Sequence, residues 1–266
     1  MRLAVLGAGN MGSALIRGVL ASSSGVTVIA WDAVEAARGR LPAGVRAVPP
    51  DTWFARGGSP DMVVVAVKPG DVAGALKPLV EPSRQSAGTL WCSIAAGVSI
   101  AKIEQTLGSG RRICRIMPNT PAVVGLAASA FALNNACGPR DAEAVKNLLS
   151  SCGIAVQVPE KLMNAVTGLS GSGPAYVYLF IEALIEGGVT AGLPCDVARK
   201  LAVQTVQGAA AMVARTDSPP AALKAAVMSP GGTTAAGLMA LEENGMKYGV
   251  IRAVVQASRR AEELGS

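Results

Sequence analysis

Residues 2–12, Arg-Leu-Ala-Val-Leu-Gly-Ala-Gly-Asn-Met-Gly, carry a short apolar run straight into Gly7-x-Gly9-x-x-Gly12. Between a strand and a helix this spacing has a mechanical meaning. Gly7 makes the tight turn, Gly9 lets the backbone approach a pyrophosphate, and Gly12 lets the next helix pack close to the strand. The first amides of that helix then face the anion. Leu3–Leu6 reads as a buried strand, Ser13–Ala21 as a helix and Val26–Trp31 as a second strand, the βαβ order the fingerprint requires. A nicotinamide or flavin dinucleotide is the expected ligand. The bland alternative is an ordinary strand-to-helix turn, since a chain with 31 glycines repeats such spacings by chance.

Outward from this turn, up to about Val158, short Val/Ile/Leu runs alternate with Ala-rich helical stretches, the habit of a doubly wound parallel sheet. Met62–Val67 followed by Lys68-Pro69-Gly70, Leu90–Ile94 followed by Ala95-Ala96-Gly97, and Arg112–Met117 followed by Pro118-Asn119-Thr120-Pro121 each place a loop at the carboxyl end of a strand, where ligands bind in such sheets. Asn119 and Thr120 suit a ribose or amide, and equally a turn. Beyond Pro159 no strand is evident. The helix candidates there are Ala175–Ala191, Pro194–Ala214, Thr233–Glu243 and Met246–Leu264, with Thr216–Pro220 as a linker. The expected fold is therefore α/β: an N-terminal Rossmann-type parallel-sheet domain, 1–159, followed by an all-helical domain, 160–266. Several of these helices are apolar round most of their circumference, so a partner subunit is expected to cover the surplus face, making at least a homodimer.

Composition narrows the function. At 266 residues the chain can bury two modest cores, and with 3% aromatic residues it must fill them with aliphatic side chains. Few aromatics and a mild, scattered charge of +6 disfavour nucleic acid as a partner. A membrane span is not expected, because the most apolar long stretch, Ala175–Leu193, carries Glu182 and Glu186. Five cysteines without a CxxC pair read as small buried hydrophobes in a reducing compartment, and a strand beginning within three residues leaves no room for a leader. A cytoplasmic location is expected. Histidine is absent, which removes the commonest general acid, the commonest metal ligand and every Ser-His or Cys-His nucleophile. No metal site is expected, and a hydrolase is disfavoured.

Three further places carry candidate chemistry. Asp32 closes the second strand, where an acid accepts bonds from the adenine ribose hydroxyls and repels a 2′-phosphate, which favours NADH. Arg38 and Arg40 follow, able to embrace a 2′-phosphate or simply to face solvent. Ser229-Pro230-Gly231-Gly232-Thr233-Thr234 is a hydroxyl-bearing turn at a helix entrance, suited either to receiving a carboxylate or to a plain N-cap by Thr233 or Thr234. The small residues of Gly168–Tyr176 permit close approach to a cofactor or partner helix, or packing alone.

Together, Gly7–Gly12, Val67-Lys68-Pro69, Ala95–Val98, Arg115–Ala122, Gly171–Tyr176 and Ser229–Thr234 resemble, in order and over nearly the whole chain, the pyrroline-5-carboxylate reductase family. The resemblance implies an NAD(P)H-dependent oxidoreductase that reduces the C=N bond of 1-pyrroline-5-carboxylate to L-proline in proline biosynthesis, using NADPH or NADH. It also implies that the helical domain is a dimerisation and substrate domain, that the active site is completed across a homodimer, and that dimers gather in many members into decamers. Cofactor contacts implied are Leu6, Gly7, Ala8, Gly9, Asn10, Met11, Ala66, Val67, Lys68, Pro69, Ile94, Ala95, Ala96 and Glu160, with Asp32 from the strand-end argument. Substrate contacts implied are Ser229, Gly232, Thr233 and Thr234, and the hydroxyl of Thr234 is the implied catalytic group. Met228, Asn164 and Asp32 depart from the family pattern, the last bearing on coenzyme choice.

Missing acids fit this chemistry. An imine can arrive already protonated, whereas a ketone becomes an alkoxide that needs a donor. The β-hydroxyacid dehydrogenases resemble the chain in their glycine turn and helical second domain, but the Lys and Asn positions of their catalytic motif are Val177 and Ile181 here. That family, another cyclic imine reductase, and a non-catalytic NAD(P)H-binding sensor are the alternatives.

Overall fold

A computed structural model describes residues 1–22, 25–55, 58–84, 86 and 88–265. Among them the strands are β1 (Arg2–Leu6), β2 (Thr27–Trp31), β3 (Arg46–Ala47), β4 (Met62–Val65), β5 (Leu90–Ser93), β6 (Arg112–Met117), β7 (Ala127–Leu133) and β8 (Gly153–Gln157). They form one sheet in the order β3-β2-β1-β4-β5-β6-β7-β8. The helices are α1 (Asn10–Ser22), α2 (Glu35–Arg38), α3 (Val72–Val80), α4 (Ile100–Leu107), α5 (Pro139–Ser150), α6 (Met163–Val166), α7 (Gly173–Thr190), α8 (Cys195–Arg215), α9 (Pro220–Ala226), α10 (Thr233–Glu243) and α11 (Met246–Gly265). The strands expected at 62–67 and 90–94 stop at Val65 and Ser93, and the residues they give up form the loops above the sheet.

Continuous apolar runs make the central strands because both faces are covered. Leu3 and Val5 point to one side, where Leu15, Ile16 and Val19 of α1 and Val145 and Leu149 of α5 meet them. Ala4 and Leu6 point to the other, against Leu76 and Leu79 of α3, Ile103 and Leu107 of α4, and the fully buried Trp53. Each such Leu or Ile contributes about 1.5–3 kcal/mol by leaving water.

The sheet is not wholly parallel, as the sequence suggested: β7 runs antiparallel to β6. Chain length decides this. A parallel return needs a crossover of a dozen or more residues, and between Met117 and Ala127 there is only a short 3₁₀ turn, Thr120–Val124, ended by Gly125 in the left-handed region at φ 76°. The next connection contains α5 and gives a parallel β8. Asp141 holds that helix entrance: its carboxylate accepts from the Gly138 N–H at 2.8 Å and pairs with Arg112 at 2.6 Å.

Packing divides the chain into two compact units, Met1–Ser172 together with the stretch from Val255 onward, and Gly173–Val254. The sequence-based division at 159/160 falls earlier than this because residues 160–172 stay on the sheet. Met163 is 1% exposed in its core, and the Asn119 side chain donates to Ser170 O at 3.0 Å. In the second unit, α7 and α8 turn back on each other through Gly192, at φ 101°, and Tyr176 Oη donates to Ala253 O at 3.4 Å. Helix α7 buries no residue within the chain, leaving Tyr178 and Leu179 at 60% and 66% exposed, as expected of a helix whose apolar surplus another subunit covers.

The glycine turn supplies a stability test. A Cβ on Gly12 would meet the carbonyl oxygen of Gly7, whereas one on Gly9 would meet nothing within 4 Å. Gly12→Ala is expected to destabilise the protein by about 1–3 kcal/mol despite the gain in helix propensity. Gly9→Ala is expected to leave stability nearly unchanged, both read by urea denaturation.

Candidate active site

The turn after β1 is fixed from both sides. The Gly7 N–H donates to Trp31 O of β2 at 2.7 Å, and the Ala66 N–H after β4 donates to Leu6 O at 2.7 Å. Gly7 adopts φ 103°, and a Cβ there would lie 2.6 Å from Ala66 O, so only glycine fits. The first bond inside α1 runs from the Ser13 N–H to Gly9 O, which leaves the amides of Asn10, Met11 and Gly12 without helical partners at a positive helix end. Gly9 is open on its outer side. Free amides, a bare backbone and a dipole end together fit a pyrophosphate.

A cavity of about 870 Å³ opens beside this turn, lined by Leu6, Gly7, Gly9, Asp32, Ala66, Val67 and Lys68 among the residues assigned from sequence. The turn's other members lie behind or beside it: Ala8 is buried, while Asn10 and Met11 begin α1. Pro69 and Ala96 line a neighbouring hollow of about 260 Å³ with Gly97, Lys102 and Leu264. Ala95 is buried next to them, and the Ile94 N–H bonds Val65 O at 3.0 Å. Loops from β1, β4 and β5, neighbours in the sheet, are thus brought to one edge.

Asp32 does more than face the cavity. Its Oδ2 accepts from the Ala8 N–H at 2.7 Å and its Oδ1 from the Val34 N–H at 2.9 Å, so the carboxylate pins the glycine turn. Each oxygen keeps a second acceptor site for a ribose hydroxyl. Arg38 donates to Asp32 O and Ala33 O at 2.7 and 3.1 Å, and its guanidinium lies 4.5 Å from the Trp31 ring centroid. It is therefore a locally held cation. Arg40, just past α2, donates to Ala36 O of that helix at 3.0 Å. Trp31, Val34, Asp51 and Asp71 also line the cavity and were not singled out from sequence. Only Trp31, next to Asp32 at the strand end, offered a signal.

Two of the candidate residues have partners within the chain. Glu160 lines neither cavity. Its Oε1 accepts from the Ile100 N–H at 2.8 Å and from Arg115 Nη1 at 3.3 Å, steadying the start of α4 where the Ala95–Ser99 loop ends. Asn119 uses both ends of its amide internally, donating to Ser170 O and accepting from the Ala128 N–H at 2.9 Å. Gly171 packs against Met117, so close packing accounts for that part of the glycine-rich stretch.

In the second unit, neither Thr233 nor Thr234 caps α10. The N-cap is Gly232, at φ −79° and ψ 169°, without a side-chain cap, and the threonines are the first two helical residues. A Cβ on Gly232 would collide with Ser229 Oγ, so the serine hydroxyl sits folded over the helix entrance. The Gly232 N–H closes the turn onto Ser229 O at 3.0 Å, and the first helical bond is made by the Ala236 N–H to Gly232 O at 3.2 Å. Amides of Thr233, Thr234 and Ala235 therefore remain without helical partners near the hydroxyls of Ser229, Thr233 and Thr234, an arrangement chemically suited to a carboxylate.

Two of the thiols are poor nucleophiles. Burial and a hydrogen bond with Cys92 push the Cys114 thiol well above its ordinary range, and burial followed by the nearby Asp141 charge raises Cys137 to about 11. Among the described residues no group of three or more His, Cys, Asp or Glu is placed to hold a metal, and no helix is long and apolar enough to cross a membrane.

Comparison with known proteins gives this geometry a lineage. Residues 160–264 match the family described as pyrroline-5-carboxylate reductase dimerisation, and residues 2–97 match NADP oxidoreductase, coenzyme F420-dependent. The pyrroline-5-carboxylate reductase of Glycine max is 42% identical, covering 98% of this chain and 95% of that protein. The Methanosarcina acetivorans enzyme of the same name is 40% identical, covering 99% and 98%. A crystal structure of Plasmodium falciparum pyrroline carboxylate reductase with NADP bound superposes with a TM-score of 0.88 at 34% identity, covering 100% of this chain and 98% of that one. With kinship of this depth along its whole length, the chain belongs to the pyrroline-5-carboxylate reductase family.

Proposed function

We propose that this protein reduces 1-pyrroline-5-carboxylate to L-proline, acting as a homodimer or larger homo-oligomer whose active sites are completed across the dimer. The observation that carries the reading is the uncapped entrance of α10, where Gly232 lies beneath Ser229 and two threonines follow. It suits the carboxylate of a small cyclic imino acid. NADH or NADPH, held by the Gly7–Gly12 turn and the loops after β4 and β5, supplies the hydride. The chain's own work is orientation. Amides at the start of α10 hold the carboxylate, and the Thr234 hydroxyl meets the ring nitrogen, fixing which face of the C=N bond is presented. Positioning of this kind can supply about 7 kcal/mol or more. A chain without histidine needs no dedicated acid, because an iminium becomes an amine on reduction. A decameric assembly belongs to the same reading. So does a cytoplasmic location, supported by five free cysteines, of which Cys195 alone among them is exposed.

Initial rates of NADH and NADPH oxidation with 1-pyrroline-5-carboxylate, its six-membered analogue and a β-hydroxyacid pair test this reading; turnover with the pyrroline supports it, and turnover with the hydroxyacid alone overturns it. Thr234→Ala is expected to lower kcat by about 10- to 100-fold, with Thr234→Ser recovering most of it. Loss of all hydride transfer with substrate still bound would make Thr234 an obligatory proton donor and contradict the orientation role.

Coenzyme choice is read at Asp32. Its charge faces the cavity and weighs against a 2′-phosphate, while Arg38 of α2 places a cation against the Asp32 carbonyl. Asp32→Asn keeps an acceptor for the Ala8 N–H but removes the charge. The ratio of kcat/KM for NADPH to that for NADH should rise by about tenfold or more, since 1.4 kcal/mol suffices and close charges interact by about 1–4 kcal/mol. An unchanged ratio would remove Asp32 from coenzyme selection.

A further inference from the structure

The two edges of the sheet are built differently. At one end β3 has two residues, includes Arg46, and is followed by Pro49-Pro50, all devices that discourage pairing. At the other end β8, Gly153-Ile-Ala-Val-Gln157, has five residues without a charge or proline, and its outer side is the last position in the sheet order. Its ladder with β7 fixes which backbone groups face out. The Ala127 N–H bonds Cys152 O at 2.7 Å and the Val158 N–H bonds Phe131 O at 2.9 Å. In a parallel ladder residues 152, 154, 156 and 158 then turn their polar groups toward β7, and those of Gly153, Ala155 and Gln157 point away from the sheet. Ile154 and Val156 share one face and are 64% and 52% exposed.

This apolar strip continues into the family's dimerisation stretch. Ala128, the register partner of Ile154, donates to Asn119, and Asn119 donates to Ser170 O beside Leu169. Leu162 and Leu169 are 45% and 64% exposed and lie within the residues 160–264 that match that stretch, and Leu126, 71% exposed, precedes β7. An undefended edge bordered by uncovered apolar side chains requires a partner.

We infer that the β8 edge is a second contact between two copies of this chain, pairing antiparallel across a two-fold axis so that the sheet runs from one subunit into the other. The inference rests on the homo-oligomer reading. A two-fold contact is self-complementary, and strands related by it must run antiparallel. Because the outward groups belong to the odd-numbered residues, an axis at Ala155 sets Ala155 opposite the partner's Ala155 and Gly153 opposite the partner's Gln157 as hydrogen-bonded pairs. Ile154 then faces the partner's Val156 at the closer, non-hydrogen-bonded positions. Such β-branched cross-strand pairs are the favourable kind.

Residue-resolved amide exchange on the full chain, run beside sedimentation equilibrium, tests this. In the associated protein the amides of Ala155 and Gln157 are expected to exchange at least about 100-fold slower than free amides, as those of Ile154 and Val156 do. In a Cys195→Ser background, Ile154→Cys combined with Val156→Cys is expected to give a disulfide-linked dimer on mild oxidation, and neither cysteine alone should do so. A dimer by sedimentation with freely exchanging Ala155 and Gln157, or without the cross-link, overturns the edge pairing and leaves the homo-oligomer standing. A monomer at every concentration overturns both.

Discussion

One close approach organises the molecule: the backbone of Gly7 against the chain leaving β4. Gly7 bonds β2 through its N–H and leaves no room for a side chain beside Ala66 O, so the carboxyl ends of β2, β1 and β4 are held together at one point. Everything above the sheet follows from that meeting. The turn aims the first amides of α1 outward, the cavity opens between the ends of β1 and β4, and Asp32 at the end of β2 reaches back to the Ala8 N–H. Gly12 completes the constraint by letting α1 start within contact of Gly7 O. A methyl group at Gly7 or Gly12 would separate elements whose proximity shapes the candidate site.

The glycine turn, the parallel strands of the first half and the long helices of the second were legible in the sequence because each depends on local pattern. Leu3–Leu6 and Met62–Val65 are apolar runs too short for helices, and Thr233–Glu243 follows a Gly-Gly break. What was not legible depended on contacts far apart in the chain. The stretch Ala127–Leu133 is largely alanine and carries no alternation, so nothing local marks it as a strand, still less as the antiparallel one. Its direction is set by the short connection before it. The partners of Glu160, Ile100 and Arg115, lie on other elements, and no local reading supplies them. At Ser229–Thr234 the pattern allowed a threonine N-cap, and the backbone conformation puts Gly232 there instead.

The composition makes chemical sense once the family is known. A reductase of an imine can do without histidine, and this chain has none. Its charged groups are used for construction instead. Asp141 with Arg112 seats α5, Glu160 with Arg115 seats α4, and at the end of β2 the Asp32 carboxylate pins the glycine turn while Arg38 holds the Asp32 carbonyl. The two ion pairs gain most because their acids also accept backbone N–H groups, as Asp141 and Glu160 each do. The glycine turn and the entrance of α10 present backbone amides and small side chains, which suits phosphate and carboxylate groups.

The most direct measurement is equilibrium binding of NADH to Gly9→Val beside the unaltered protein, followed by the emission of Trp31 and the other tryptophans. The Gly9 side of the turn is open, so a branched side chain leaves the fold intact while standing where a pyrophosphate must approach. The account predicts a cooperative denaturation curve like that of the parent together with a loss of at least about 100-fold in NADH affinity. A folded Gly9→Val protein that binds NADH as tightly as the parent would contradict it.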